Sequence, residues 1–255
     1  MPSVAERPRT AAIVQSSYIP WKGYFDLINA ADAFTVYDDV QYTRRDWRNR
    51  NKIKTRTGVQ WLTIPVETKG NYETPIRDIR VSDPTWPRRH FESIRHNYVR
   101  APYFAQYESL LADLYLSAMP VYLTEINVRF LSAVCALLGI TTSITMSDLG
   151  DSVSGRNERL ISLCHRVGAQ RYLSGPAARE YLDEDLFAGE GIQVVYADYS
   201  DYPEYPQRFA PFDHHVSIID LILNVGPDAP RLMKSFARAD EFIVTPAAGS
   251  GVPPT

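Results

Sequence analysis

The first 40 residues alternate between short apolar runs and a segment with helical spacing. Residues 11–15 and 33–37 are apolar and rich in β-branched or aromatic side chains, which predicts two short strands. Between them, residues 21–31 carry apolar side chains three or four positions apart, the spacing of an amphipathic helix. This order of elements is typical of a βαβ unit, so we expect the chain to begin with two parallel strands.

The same alternation returns in the last third of the chain. Strands are predicted over residues 142–146, 171–174 and 192–197. Helical segments are predicted over residues 155–167, 177–182, 185–188 and 217–225. The middle of the chain predicts a β-hairpin, with strands at 59–66 and 76–81 around a turn at 68–71, and then helices at 87–99, 103–116 and 123–138. Such alternation predicts an α/β fold in which helices flank a mainly parallel sheet.

These elements predict a single α/β domain over residues 10–226. The hairpin, residues 58–81, and a helical insertion, residues 87–138, interrupt its regular alternation. Residues 227–243 are expected to form a C-terminal helical segment. The two ends, residues 1–9 and 244–255, are rich in Pro, Gly and small side chains and are expected to be flexible tails.

The composition is that of an ordinary globular protein, with 255 residues, 45% hydrophobic and 22% charged. The longest apolar stretch, residues 130–140, is shorter than the roughly 20 residues of a membrane span. The first ten residues contain no apolar run of signal-peptide length. Cys135 and Cys164 lie on apolar helical faces and are expected to be core residues. We therefore expect a cytoplasmic protein that binds neither membranes nor DNA.

Positive charge is concentrated in residues 44–56, which contain seven basic residues and one acidic residue. Such a run raises the local concentration of anionic partners, although a solvated hairpin face would have a similar composition. Aromatic and amide side chains lie among the cations. The candidate binding residues here are Arg48, Asn49, Arg50 and Lys52.

Several polar or aromatic side chains follow the first predicted strand, at the edge where open α/β sheets bind ligands. The candidate binding residues in this segment are Gln15, Tyr18, Trp21 and Tyr24. A turn packed with aromatic side chains for stability is the alternative. Residues 1–89 contain no histidine and no glycine-rich phosphate loop, which disfavours adenylyl transfer.

Other predicted strands also end in residues that can take part in chemistry. Asp38 and Asp39 can act as a general base or cap a turn, and Gln41 follows them. Ser174 and Gly175 close a later strand, where Gly175 would let a ligand approach the backbone. Tyr181 lies one or two helical turns beyond them.

Histidine provides one further candidate base, His215, in the loop before the last predicted helix. Ser217 and Asp220 in the same region fit an N-terminal helix cap instead. The sequence contains no H-E-x-x-H, paired C-x-x-C or G-x-S-x-G spacing, so neither a zinc hydrolase nor an α/β-hydrolase is indicated. No metal and no cofactor are expected.

Several motifs together resemble the WbqC-like proteins. The opening block, I-V-Q-S-S-Y-I-P-W-K-G-Y-F-D-L-I followed by A-D-A-F-T-V-Y-D-D-V-Q-Y, is the most distinctive. The motifs W-R-N-R-N-K-I-K, W-L-T-I-P-V, S-G-P-A-A-R-E-Y-L, Y-P-E-Y-P-Q and S-I-I-D-L-I-L-N-V-G follow in the same order as in that family. The resemblance covers residues 11–226.

The resemblance implies a transferase in specialised-metabolite or surface-polysaccharide biosynthesis. It would move an amino acid such as glycine, or another acyl group, from an activated donor to an amine such as an amino sugar. A carrier protein or an aminoacyl-tRNA is the expected donor partner. A nucleotide-dependent ligase or nucleotidyltransferase, and a non-enzymatic module that binds a carrier protein or RNA, are the alternatives.

Asp38, Asp39 and His215 are the candidate bases for such a reaction. We expect the segments 15–24, 38–42 and 48–54, together with Ser174 and Gly175, to line one shared cleft.

Overall fold

The computed structural model describes residues 7–67, 73–149 and 153–245. In chain order its strands are β1 (Thr10–Val14), β2 (Ala33–Val36), β3 (Arg50–Thr55), β4 (Gly58–Thr63), β5 (Ser143–Met146), β6 (Arg171–Ser174), β7 (Gln193–Ala197) and β8 (Ile243–Val244). The helices are α1 (Lys22–Ala30), α2 (Trp86–Tyr98), α3 (Phe104–Leu116), α4 (Leu123–Leu138), α5 (Arg156–Arg166), α6 (Glu184–Gly189), α7 (Ile218–Val225), α8 (Lys234–Ala237) and α9 (Ala239–Phe242). Three short 3₁₀ helices occupy Ile76–Asp78, Pro176–Glu180 and Gly226–Leu232.

Six strands form the main sheet, in the order β5-β2-β1-β6-β7-β8. The first five strands are parallel, and β8 is antiparallel to β7. The predicted α/β class, with a mainly parallel sheet and flanking helices, is therefore confirmed. The predicted strand at residues 171–174 has the observed bounds. The other predicted strands of this sheet differ by one residue, at both ends for β1 and at one end for β2, β5 and β7.

Both faces of the sheet are covered, which explains the continuous apolar runs of its strands. In β1, Ala12 faces a core formed with α1, α4 and α7. Ala11 and Ile13 face a second core formed with α5 and α6. The strand order reverses next to β1, because β2 and β5 lie on one side of it and β6 and β7 on the other. Open α/β sheets bind ligands outside the carboxyl ends of the strands at such a point.

The hairpin lies earlier in the chain than predicted. β3 and β4 pair antiparallel, from Arg50 opposite Thr63 to Thr55 opposite Gly58. The prediction of a strand at 76–81 is wrong, because residues 76–78 form a 3₁₀ helix. Ile76 in this helix and Ile79 just after it are both buried. The strand β3 was not predicted because most of its side chains are basic or polar. Its alternate residues Asn51 and Ile53 nevertheless point inward. The predicted turn at 68–71 lies outside the described residues.

Residues 226–244 pack against the same core as α1. Met233 and Phe242 are fully buried there, and Val244 pairs with Tyr196 of β7. Residues 1–6 and 246–255 of the expected tails lie outside the described residues. In the described ranges, no helix combines the length and the apolar composition that crossing a membrane requires.

Candidate functional site

A cavity of about 300 Å³ lies outside the carboxyl end of β1. It is lined by Val14, Ser17, Pro20, Trp21, Tyr24, Trp47, Arg48, Asn51 and His215. Trp21, Tyr24, Arg48 and His215 were predicted from the sequence to belong to the site. Gln15 contributes its backbone carbonyl, which accepts hydrogen bonds from Tyr24 (2.9 Å) and Arg48 (2.9 Å). We call this space the first cavity.

The segment that leaves β1 is held in an unusual conformation. Ile19 has a φ of 37°, in the left-handed region that β-branched residues rarely adopt. The Asn51 amide donates to the carbonyls of Tyr18 (3.1 Å) and Ile19 (2.9 Å), and the Ile218 N–H donates to the Pro20 carbonyl (2.9 Å). These bonds from β3 and α7 fix the direction in which the chain enters α1. Local strain of this kind is often found at functional sites.

Trp21 forms the wall between the first cavity and a neighbouring one. Its indole stacks on His215, with the ring centres 5.6 Å apart and the planes 29° from parallel. Gly23 makes this position possible, because a Cβ there would collide with the indole. The sequence W-K-G at the start of α1 therefore places an aromatic ring across the first turn of the helix.

Arg48 brings positive charge to the first cavity. Its Nη1 donates to the carbonyls of Gln15 (2.9 Å) and Ser16 (3.0 Å), the two residues after β1. Its Nε lies 3.5 Å from the carboxylate of Asp46. No hydrogen bond joins Nη2 to the described part of the chain, so that nitrogen can donate to a ligand.

His215 is the histidine that lines the first cavity, and its side chain is 74% exposed. Its backbone N–H donates to Asp213 Oδ1 (2.7 Å), and its Nδ1 lies 3.6 Å from the same oxygen. Partial burial opposes the charge of Asp213, but the His215 N–H and Lys52 outweigh it and lower the pKa of that carboxyl. Asp213 thus lies on the Nδ1 side of the His215 ring.

A second cavity, of about 340 Å³, lies on the other side of the wall. It is lined by Trp21, Tyr199, Asp201, Tyr202, Glu204, His214 and His215. Its residues between 199 and 204 follow β7, whose carboxyl end lies at the same edge of the sheet as that of β1. None of these residues was predicted to belong to the site, although the strand β7 itself was predicted.

A buried lysine lies behind the second cavity. Lys22 Nζ is 3.0 Å from His214 Nδ1 and 4.5 Å from the centre of the Tyr202 ring. Burial lowers the pKa of Lys22 to about 8, against the attraction of Asp26. Burial and the charge of Lys22 also lower the pKa of His214, which favours its neutral form. Lys22 can then donate to Nδ1, which leaves the proton of His214 on Nε2.

The structure places Asp38 behind the first cavity and not in it. Asp38 is 1% exposed; its Oδ1 accepts the Ser16 N–H (2.8 Å) and its Oδ2 accepts the Thr124 hydroxyl. Burial raises the pKa of Asp38, and its hydrogen bonds and Arg48 oppose that rise. Its position makes Asp38 a positioning residue for the segment after β1.

Asp39 lies on the other face of the sheet. It accepts hydrogen bonds from the Ser147 hydroxyl (2.6 Å), the Leu149 N–H (3.1 Å) and Arg159 (2.9 Å). These contacts join the ends of β2 and β5 to α5. The expected cleft therefore includes segments 15–24 and 48–54 but lacks the side chains of Asp38 and Asp39.

Three further predicted binding residues are used inside the fold or on its surface. The buried Tyr18 hydroxyl contacts His90 Nδ1 (2.9 Å) and the Tyr115 hydroxyl (2.7 Å). Asn49 donates to the Ile64 carbonyl (2.7 Å). Arg50 lies over the Trp61 ring, outside the first cavity.

The remaining predicted residues border the cavities or lie away from them. Lys52 pairs with Asp213 at 3.5 Å, and Gln41 forms a bridge with Pro75. Ser174 is buried at the end of β6, whereas Gly175 approaches Tyr199 of the second cavity, with an added Cβ 3.8 Å from its ring. Tyr181 is 45% exposed and packs under Arg156.

The two cysteines and Ser217, the cap of α7, have the structural roles that were predicted for them. Cys135 and Cys164 are buried, and burial raises the pKa of each thiol to about 12. Ser217 accepts the Ile219 N–H (3.3 Å) and caps α7, as predicted. The expected part of Asp220 in this cap is wrong: its carboxylate accepts from the Tyr98 (2.6 Å) and Tyr205 (2.7 Å) hydroxyls, and the Ser217 N–H donates to the Lys52 carbonyl instead. Among the described residues, no three His, Cys, Asp or Glu side chains are grouped so that they could hold a metal ion.

The fold is that of an open α/β protein. Its aromatic cavities lie outside the strand ends, at the point where the strand order of the parallel sheet reverses. The chain belongs to the WbqC-like protein family, whose family model matches residues 15–232. It is 44% identical over 226 residues to a protein of Mycobacterium tuberculosis (strain ATCC 25618 / H37Rv) named "Uncharacterized protein Rv1507c". That alignment covers 89% of this chain and 98% of the relative. No solved structure matches the chain.

Proposed function

We propose that this protein is a transferase that forms an amide, moving an aminoacyl group such as glycyl, or another acyl group, from an activated donor to an amine. An amino sugar is the proposed acceptor, in the biosynthesis of a surface polysaccharide or a specialised metabolite. Membership of the WbqC-like family supports the proposed type of reaction, because the resemblance to that family implies it. The residues that line the two cavities support the proposed binding of a donor and an amine.

One observation carries the proposal: His215 lies between two cavities that differ in charge. Arg48 lines the first cavity, whereas Asp201 and Glu204 line the second and outnumber Lys22, the cation behind it. An activated acyl donor becomes negatively charged at its carbonyl oxygen during transfer, and an amine acceptor arrives as an ammonium ion. The first cavity therefore suits the donor carbonyl, and the second suits the ammonium group.

The second cavity has two means of holding an ammonium ion. Its carboxylates attract the positive charge, and the rings of Tyr199 and Trp21 offer cation–π contacts. The two rings meet edge to face, with their centres 5.1 Å apart. An ammonium ion bound there lies beside His215, the base shared by both cavities.

The proposed reaction moves two protons and stabilises one charge. The ammonium group loses its first proton to water, and the resulting neutral amine attacks the acyl carbon. As the C–N bond forms, His215 takes the second proton from the attacking nitrogen. The bond from carbon to the leaving sulfur or oxygen then breaks, and His215 gives that proton to the leaving group. Arg48 stabilises the negative charge on the carbonyl oxygen during this exchange. The enzyme's main contribution is alignment of two bound substrates.

Amide formation can be tested by mass spectrometry. The purified protein is incubated with glycyl thioesters or glycyl-tRNA and with a panel of amino sugars, free and nucleotide-linked. We expect an amide product from one donor–acceptor pair, and a rate about 10²–10⁴-fold lower for His215→Ala.

His96→Ala is the matched control, because His96 is exposed on α2. It should keep the wild-type rate. Equal rates for His215→Ala and the wild type would contradict the role of His215. The absence of any amide across the panel would contradict the transferase itself.

A further inference from the structure

Two exposed tryptophans extend the first cavity along the surface of the hairpin. Trp47 lines the cavity, and its ring centre lies 5.4 Å from that of Trp61 on β4. Both side chains are 42% exposed. Exposed aromatic rings in contact with each other at the edge of a cavity are a common feature of ligand-binding sites.

The fold does not require these two rings for its core. The buried residue of β4 is Leu62, and the buried apolar residue of β3 is Ile53; both belong to the core beneath the hairpin. Trp61 and Val59 occupy the opposite, solvent-facing positions of β4. Trp61 is thus an exposed ring on the outer face of the hairpin, where it contacts Trp47 and Arg50.

Positive charge accompanies the rings. The Arg50 guanidinium lies 4.3 Å from the centre of the Trp61 ring, and its Nη2 donates to the Arg45 carbonyl. Arg45 and Arg56 are exposed within the same basic run. A planar guanidinium next to an indole presents both a stacking surface and donors for phosphate oxygens.

We propose that Trp47, Trp61 and Arg50 form a platform for a nucleobase whose attached phosphates are held by the basic run. One of the two substrates is then a nucleotide-linked compound, with its base on the platform and its reacting group in the first cavity. Base–aromatic stacking beside a basic groove is how proteins hold nucleotides without reading their sequence. A coenzyme A thioester, an aminoacyl-RNA end and a nucleotide sugar share this chemistry. The choice of substrate rests on the proposed function, whereas the binding of a base does not.

Calorimetric titration of the full chain tests the platform without any turnover. The probes are coenzyme A, UDP, the ribonucleotide CCA and, as the probe that lacks a base, 4′-phosphopantetheine. We expect at least one base-containing probe to bind more tightly than phosphopantetheine. We expect Trp61→Ala to weaken that binding by about tenfold, the loss of one stacking partner. Trp61→Phe, which retains a ring, should recover most of the affinity.

Val59→Ala is the matched control, since Val59 lies on the same face of β4 and is 45% exposed. It should bind the probe as the wild type does. Binding of coenzyme A would indicate that the base on the platform belongs to a thioester donor. Binding of CCA would indicate an RNA-linked donor, and binding of UDP a nucleotide-linked acceptor. Failure of all three to bind, or equal binding by wild type and Trp61→Ala, would overturn the platform. Trp61-dependent binding without amide formation would count against the proposed function alone.

Discussion

At the scale of single residues, the position of Trp21 depends on Gly23. Alanine is favoured over glycine within a helix by about 1 kcal/mol, because glycine loses more backbone freedom on folding. A Cβ at position 23, however, would meet the Trp21 indole. We therefore expect Gly23→Ala to displace the wall between the cavities and to lower the proposed transferase activity. The melting temperature should change little, because the gain in helix propensity offsets part of the lost ring contacts.

Thermal unfolding and the amide assay on the same preparations check this prediction. Gly189→Ala in α6 is the control, since no atom lies within 4 Å of an added Cβ there. It should leave activity unchanged. Full activity in Gly23→Ala would show that the chemistry does not need the indole in its observed position.

The prediction of the site was limited by the unknown orientation of individual side chains. Trp21 could be proposed because it is aromatic and follows the first predicted strand. His215 could be proposed because it is a histidine in the loop before a predicted helix. Asp38 and Asp39 are adjacent in sequence, and both were candidate bases by the same reasoning. Successive residues near a strand point in opposite directions, so one carboxylate lies behind the first cavity and the other on the opposite face of the sheet. Partners as distant in sequence as Thr124 and Arg159 decide which orientation each carboxylate keeps.

At the scale of elements, α2 packs on the hairpin through a buried histidine. His90 is 6% exposed, and its Nδ1 lies 2.9 Å from the Tyr18 hydroxyl. Burial lowers the pKa of His90 to about 4, aided by Arg89 and opposed by the backbone of Thr63. Below pH 6.5 the unfolded chain binds a proton at this position and the folded chain does not. The free energy of unfolding therefore falls as the pH drops from 6.5 towards 4.

Replacing His90 by glutamine should remove that pH dependence and keep an acceptor for the Tyr18 hydroxyl. We expect the wild type to lose about 2–3 kcal/mol more than His90→Gln between pH 7 and pH 4.5. Urea denaturation at a series of pH values measures this difference. His96→Gln, an exposed change on the same helix, should follow the wild-type curve. Parallel curves for the wild type and His90→Gln would contradict a neutral buried His90.

The elements themselves were largely predictable, because most follow from apolar spacing. Parallel strands buried on both faces form continuous apolar runs, and β1, β2 and β6 were found in this way. The strand β3 was missed because its sequence, R-N-K-I-K-T, contains one apolar residue. Its inward side is completed by polar groups such as Asn51, whose hydrogen-bond partners come from residues 18 and 19. No local pattern reports such a long-range contact.

At the scale of the whole molecule, Asp26 joins two parts of the chain that are distant in sequence. Its carboxylate is fully buried and accepts the Ser235 N–H (2.8 Å), the Ser235 hydroxyl and the Tyr202 hydroxyl. Burial raises the pKa of Asp26, against these hydrogen bonds. The same carboxylate thus links α1, the α8 region and the second cavity.

Asp26→Asn should lower the free energy of unfolding by about 2–3 kcal/mol, because an amide has one acceptor oxygen for several buried donors. Chemical denaturation measures the loss. Asp185→Asn, an exposed change in α6, is the control and should stay within about 0.5 kcal/mol of the wild type. Equal stability of Asp26→Asn and Asp185→Asn would contradict the role of Asp26 in holding the C-terminal segment against α1.

The Trp21–His215 wall also makes the two cavities thermodynamically dependent on each other. A ligand that presses on the indole from one side changes the space available on the other. The two affinities are then coupled, and the factor by which the first ligand changes the binding of the second equals the factor in the reverse direction. Such coupling needs no hinge or domain movement, because one stacked pair of rings carries it. In the proposed reaction, each substrate would therefore change the affinity for the other through one side chain that lines both cavities.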